Sequence, residues 1–213
     1  MPRPHPHSRY LPTDSDQKGF SALAPNFWRT AEKLRTEAVQ ATAQKSWKVH
    51  WTVPSAICLY HAALDCFINE EIAIALARAG DAASDDPLTH EARSIQDMTL
   101  NQKKLESFFS IFQLNGKGAP EVRDRTLKLF GLRNILYHHS PEMRDVRDYP
   151  KQAIDALEDA GIEPVNTSWA SQCTDVRLAE WASKAVGAFV DDWCQAASIP
   201  SRMKDPEFAG SAD

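Results

Sequence analysis

No stretch of this 213-residue chain is uninterruptedly apolar for anything near the roughly 20 residues that cross a bilayer, so no membrane-spanning segment is expected. The opening Met1-Pro2-Arg3-Pro4-His5-Pro6-His7 has no apolar core of the secretory kind, and the sequence reads as cytoplasmic. Cys58, Cys66, Cys173 and Cys194 lie far apart with no C-x-x-C pair, which excludes a zinc knuckle and a redox dithiol and points to buried, reduced thiols. No metal or cofactor is expected. Basic charge is in deficit: 24 Lys and Arg against 29 Asp and Glu leave a net charge of −5. That excludes a surface holding nucleic acid by counterion release alone and confines any such contact to a local site. No segment alternates at period two over strand length and no repeat is visible, so sheet and solenoid architectures are set aside.

What is present is the composition of one folded domain, 43% hydrophobic and 25% charged. Residues 1–24 are rich in Pro, Ser, Asp and His and read as a flexible arm, 25–199 as the domain, and 200–213 as a loose tail. A first helix is expected from Asn26 through Trp47 to Val49. A second begins at Ser55 after Pro54 and runs to Ala79, closed by Gly80. Its Ile57, Tyr60, His61, Leu64, Phe67, Ile68, Ile72 and Ala75 fall on one broad arc, the expected buried face, and Glu71 falls inside that arc too. After a polar loop from Asp81 to Pro87, a weaker helical stretch leads to a third helix packed by Phe108, Phe109, Ile111 and Phe112, which Asn115-Gly116 ends. A fourth helix is expected from Pro120 to Ser140, a short one over Lys151–Ala160, and a last over Asp175–Ala197 carrying Leu178, Trp181, Phe189 and Trp193. The fold class is all-α, an up-and-down bundle of four to five main helices.

The fourth helix carries the chemistry. Its second half, Leu129 to His138, is apolar nearly all the way round and asks for cover on two sides. One side is met by the bundle, and a second copy of the same helix is the simplest cover for the other, which makes a homodimer. Arg133 lies about 40° from Leu129 and about 60° from Leu136 on the helical wheel, so it projects from an apolar arc and needs an anion. Asp65 or Glu71 of the second helix is one partner for it, a bound phosphate the other. His138 stands in the last turn, where free carbonyls favour an imidazolium and Pro141 stops the helix, with His139 beside it.

Arg133-Asn134-Ile135-Leu136-Tyr137-His138, followed by Ser140-Pro141-Glu142, resembles the Arg-polar-x3-His signature of the HEPN superfamily. Ala62-Ala63-Leu64-Asp65-Cys66-Phe67-Ile68-Asn69-Glu70 resembles the upstream helix of its bacterial branches, and Glu180-Trp181-Ala182 their closing helix. The likeness spans roughly Ser55 to Trp193. It implies a HEPN-like bundle that dimerises so that two Arg-x4-His motifs face one cleft and cut RNA without metal. His138 would then move the proton at the 2′-hydroxyl or the leaving oxygen, Arg133 would stabilise charge on the phosphoryl group, and Asn134 would position one or the other. Tyr137 is offered for stacking on a base, and Asp65, Asn69 and Glu71 for orienting Arg133 or His138. A toxin or phage-defence role with an antitoxin or other regulatory protein is the expected setting. A non-catalytic module that binds a nucleotide or RNA is the alternative, and a plain bundle in which Arg and His are structural is a third.

Overall fold

A computed structural model describes residues 23–79, 87–96, 98, 100–112, 120–138, 149–165, 167–197, 201 and 203–204. Among these the secondary structure is all helical: α1 (Ala24–Ala43), α2 (Val49–Ala79), α3 (Pro87–Gln96), α4 (Gln102–Ile111), α5 (Pro120–Tyr137), α6 (Lys151–Asp159), α7 (Trp169–Gln172) and α8 (Val176–Ala197). The main helices match the sequence reading in number and order, and α7 is a single turn that hydrophobic spacing did not reveal.

α2 is the centre. α1, α8, α3 and α5 all pack on it, so it is buried on several sides instead of one. The expected arc is buried throughout; Val53 extends it by a turn, and Ala56, Ala63 and Ile74 widen it along the Phe67 edge. This is why α2, over Val49–Ala77, is long and apolar enough by composition to cross a membrane although no uninterrupted run exists. A bundle's central helix needs the same composition, and 56% of its most apolar window is buried inside the protein.

The α1–α2 boundary corrects the sequence reading. α1 stops at Ala43, and α2 starts at Val49, ahead of Pro54. Lys45 takes a left-handed conformation (φ 51) and the Ser46 amide donates to the Ala41 carbonyl at 2.8 Å, a C-terminal cap of the kind usually built on glycine. The next turn is tightened: the amides of Val49, His50 and Trp51 reach back three residues, to Ser46, Trp47 and Lys48. Helix is thereby established before Pro54, which removes only the amide that would have bonded the carbonyl of exposed His50. Lys45→Gly should stabilise the fold by roughly 0.5 kcal/mol, the left-handed penalty of about 1 kcal/mol less the extra freedom glycine gives the unfolded chain. A denaturant midpoint shifted downward would contradict this account of the corner.

The ends of the domain are tied more firmly than composition suggests. Glu70 of α2 accepts from the Leu23 and Ala24 amides at 2.6 and 3.0 Å, capping α1 and making Ala24 part of the core. Met203, assigned to the loose tail, is buried, and Lys204 pairs with Asp191 at 2.6 Å. The rest of the arm and tail lies outside the described residues, as do the Gly80 and Asn115-Gly116 stops. Elsewhere the expected punctuation holds: Gly161 (φ 70) follows α6, and Asp175 accepts from the Arg177 amide at 2.9 Å to start α8.

At one end of the core Trp193 meets Phe67, Phe108 and Phe112 with ring centroids 5.3, 5.9 and 5.5 Å apart, joining α8, α2 and α4. Nearer the middle Glu32 of α1 accepts from Tyr60 and Ser183 at 2.6 Å each and from Arg35 at 2.7 Å. Burial opposes its ionisation, but the hydrogen bonds from Arg35, Ser183 and Tyr60 together outweigh burial and hold it below the usual glutamate value. The stability this carboxylate contributes is present above its unfolded value of 4.5 and is lost as pH falls through the lower folded value. In Glu32→Gln that limb of the acid unfolding curve should disappear; an unchanged curve would show that the network adds nothing.

Candidate functional site

α5 is anchored by Leu129, Phe130 and Leu132, all buried. Gly131 lets α6 come close: a methyl group there would stand 3.0 Å from Gln152 Cγ. With α2 on one side and α6 on another, the turn carrying Arg133 is held in place. Cover then thins along the helix. Ile135 and Leu136 are half-buried and Tyr137 is 68% exposed, so the apolar end of α5 is not fully covered by its own chain.

Arg133, half-buried, donates to Asn134 Oδ1 at 3.1 Å and lies over the Tyr137 ring, 4.6 Å from its centroid. Tyr137 in turn meets His138 edge-on at 5.1 Å. The Tyr137 ring thus touches both the guanidinium and the imidazole, and Asn134, Tyr137 and His138 are all exposed. His138 closes the helix, its amide donating to the Asn134 carbonyl at 3.0 Å.

Among the described residues Arg133 forms no salt bridge, whereas Arg35, Arg125 and Arg177 each pair with a carboxylate at 2.7–2.9 Å. Its charge is felt on α2 at Cys58, His61 and Asp65. Burial and then the Arg133 charge push His61 down to about 4, and the imidazole packs edge-on against Phe130 at 5.2 Å. At neutral pH His61 is therefore an uncharged core residue.

Asp65 and Asn69 do come together, with Asn69 Nδ2 donating to Asp65 Oδ1 at 3.4 Å, but around a residue the sequence reading passed over. Lys104 of α4 is fully buried; its ammonium donates to Asn69 Oδ1 at 2.6 Å and to the Met98 carbonyl, and stands 3.7 Å from Asp65. Burial raises the Asp65 pKa, and Lys104, Arg133 and Asn69 only partly offset it. Asp65 is thus shared, in contact with Lys104 and within the field of Arg133. The wheel held the signal: Lys104, Phe108 and Ile111 are spaced i, i+4, i+7 on the buried face.

Glu71 belongs elsewhere. It is buried near Cys194 of α8, whose thiol is pushed up to about 12 by burial first and by Glu71 second. His139 and Ser140-Pro141-Glu142 lie outside the described residues. All four cysteines are free; Cys173 and Cys194 are buried as expected, while Cys58 and Cys66 are only half-buried. The described residues contain no group of three or more His, Cys, Asp or Glu side chains placed to hold a metal ion. No family model, no curated protein and no solved structure matches this chain.

Proposed function

We propose that this chain is one half of a metal-independent endoribonuclease of the HEPN type, its helices forming that family's up-and-down bundle and two copies sharing one cleft. The observation that carries the reading is the state of Arg133: a guanidinium set among apolar residues, oriented by Asn134 and Tyr137, in no salt bridge among the described residues, with an exposed imidazole one ring away. Such a group is arranged to receive a phosphate. The incompletely covered end of α5 at Ile135, Leu136 and Tyr137 is where a second copy would pack, bringing its own Arg133 and His138 to the same groove.

In the reaction the 2′-oxygen attacks the adjacent phosphorus, the bond from phosphorus to the 5′-oxygen breaks, and a 2′,3′-cyclic phosphate and a 5′-hydroxyl result. His138 takes the 2′-proton or delivers one to the departing 5′-oxygen, and Arg133 bonds the phosphoryl oxygens as their charge grows. Asn134 orients the guanidinium, and Asp65, steadied by Lys104, sets a negative charge within its field from α2. The activity fits a toxin or defence effector governed by a regulatory partner. The test is cleavage of single-stranded RNA in excess EDTA, with a substrate 2′-deoxy at the scissile position left whole; cleavage of that substrate would exclude this chemistry. A non-catalytic RNA- or nucleotide-binding module is the second reading, favoured by the contacts that already engage Arg133 within its own helix. Binding of RNA without any cleavage would establish it.

A further inference from the structure

We propose that the corner joining α1 to α2 is a docking surface for single-stranded nucleic acid, distinct from the Arg133 motif. Two indoles stand out of the protein there, Trp47 at 71% and Trp51 at 42% exposure, in a protein that buries Trp181 and Trp193. Trp47 stands in the tight turn that leads into α2 and Trp51 in the first turn of α2, four residues further along the chain. Lys45, Lys48 and His50 interleave with them and are all exposed.

The local charge runs against the whole. The chain carries −5, yet residues 38–64 contain no Asp or Glu. A cleft of about 510 Å³ opens beside Trp47 between the corner and the start of α8, within the roughly 300–1,000 Å³ range of small-ligand sites and large enough for a nucleotide. Its one carboxylate, Asp175, is already paired with Arg177 at 2.7 Å. Flat indoles offer a face to any base, and ammonium groups between them offer charge to the phosphates, which is the chemistry of sequence-tolerant single-strand binding. Lys45 sits in a left-handed conformation at a position where glycine is ordinarily better, so the ammonium is kept there at a cost in stability.

The surface also points toward the motif. Trp51, Cys58 and Asp65 are spaced by seven and lie along one stripe of α2, with Trp51 about 10 Å along the axis from Cys58. Cys58 and Asp65 are two of the three α2 residues that feel Arg133. A strand held at Trp51 would thus reach the Arg133 end of the protein by following the Trp51–Cys58–Asp65 stripe.

The experiment uses full-length His138→Ala in EDTA, titrated with a labelled uridine dodecamer, a thymidine dodecamer, an RNA duplex and phosphatidylserine vesicles. Both single strands should bind and quench tryptophan fluorescence, with the duplex and the vesicles far weaker. Trp47→Ala/Trp51→Ala should weaken single-strand binding at least tenfold with the fold unchanged, because both side chains are exposed. Lys45→Gln/Lys48→Gln should lower the salt slope by about 1.4, two phosphate contacts at roughly 0.7 each. Single-strand binding that survives loss of the tryptophans, preferential binding of vesicles, or self-association through this corner that the Trp47→Ala/Trp51→Ala variant abolishes would each overturn the proposal. Its failure is separable from that of the nuclease reading: RNA cleavage with a KM indifferent to Trp47 and Trp51 sinks only the docking surface, and binding through them without cleavage sinks only the nuclease.

Discussion

His138→Ala should lower the rate of RNA cleavage about a thousandfold while leaving folding and dimerisation unchanged, the usual contribution of a positioned general acid or base being roughly 10²–10⁴. The separation of the two effects follows from where the side chain lies. His138 is exposed and follows the last helical residue, its helix bond runs through its backbone amide, and its ring contact is to Tyr137, itself 68% exposed. Truncation at such a position shifts stability by about 0.5 kcal/mol or less. Arg133→Ala should cost about 10²–10³ in rate, the loss of one preorganised group facing the phosphoryl charge, with a small loss of stability from its half-buried stem. A cleavage assay alongside a thermal melt and sedimentation of each variant checks the pair. Cleavage retained in His138→Ala would remove the imidazole from the mechanism, and lost folding in that variant would make it a structural residue.

The second large effect is acid lability set by His61. In the native protein this imidazole takes a proton only near pH 4, because burial and then the Arg133 charge disfavour the cation, while in the unfolded chain it does so near 6.5. Between those values the unfolded state binds the extra proton, so stability rises with pH across the window. It is complete above 6.5 and declines on acidification until pH passes about 4, a total of about 3 kcal/mol at 1.36 kcal/mol per unit. For a domain this is a large part of the whole. Denaturant unfolding at stepped pH should show that decline in the wild type, with His61→Leu losing the slope above pH 5. Arg133→Ala should raise the His61 pKa from about 4 toward 6.5 by NMR titration, since one of its two depressing causes is gone. An unmoved value would mean that the two groups are not neighbours, and the placement of Arg133 beside α2 would fall.

The helices were legible in the sequence because apolar spacing and stop signals agree. The arc from Ile57 to Ala75, the α8 face from Leu178 to Trp193 and the Gly161 stop all reappear as read. The α1–α2 corner was not, because proline was taken as a helix start when the preceding tightened turn lets helix begin earlier, and because a lysine fills the left-handed position where glycine would have marked the break. In the site, the wheel and the helix end brought out Arg133 and His138, the resemblance added Asn134 and Tyr137, and the four share one helix end. Groups arriving from other helices were harder. Asp65 and Asn69 were picked from α2, but what steadies them is Lys104 from α4, and Glu71, one turn and a half beyond Asp65, turns toward α8 and Cys194. A wheel tells which residues share a face; it does not tell which neighbour that face meets.

The claim on which the functional account stands is that two copies bring Arg133 and His138 to one phosphodiester. Its most direct test is the rate of RNA cleavage per chain in EDTA across a dilution series, followed alongside the oligomeric state. The account predicts products ending in 2′,3′-cyclic phosphate and a rate per chain that falls as dimers separate. A protein that is monomeric throughout, or a rate per chain that stays constant while dimers dissociate, would contradict it.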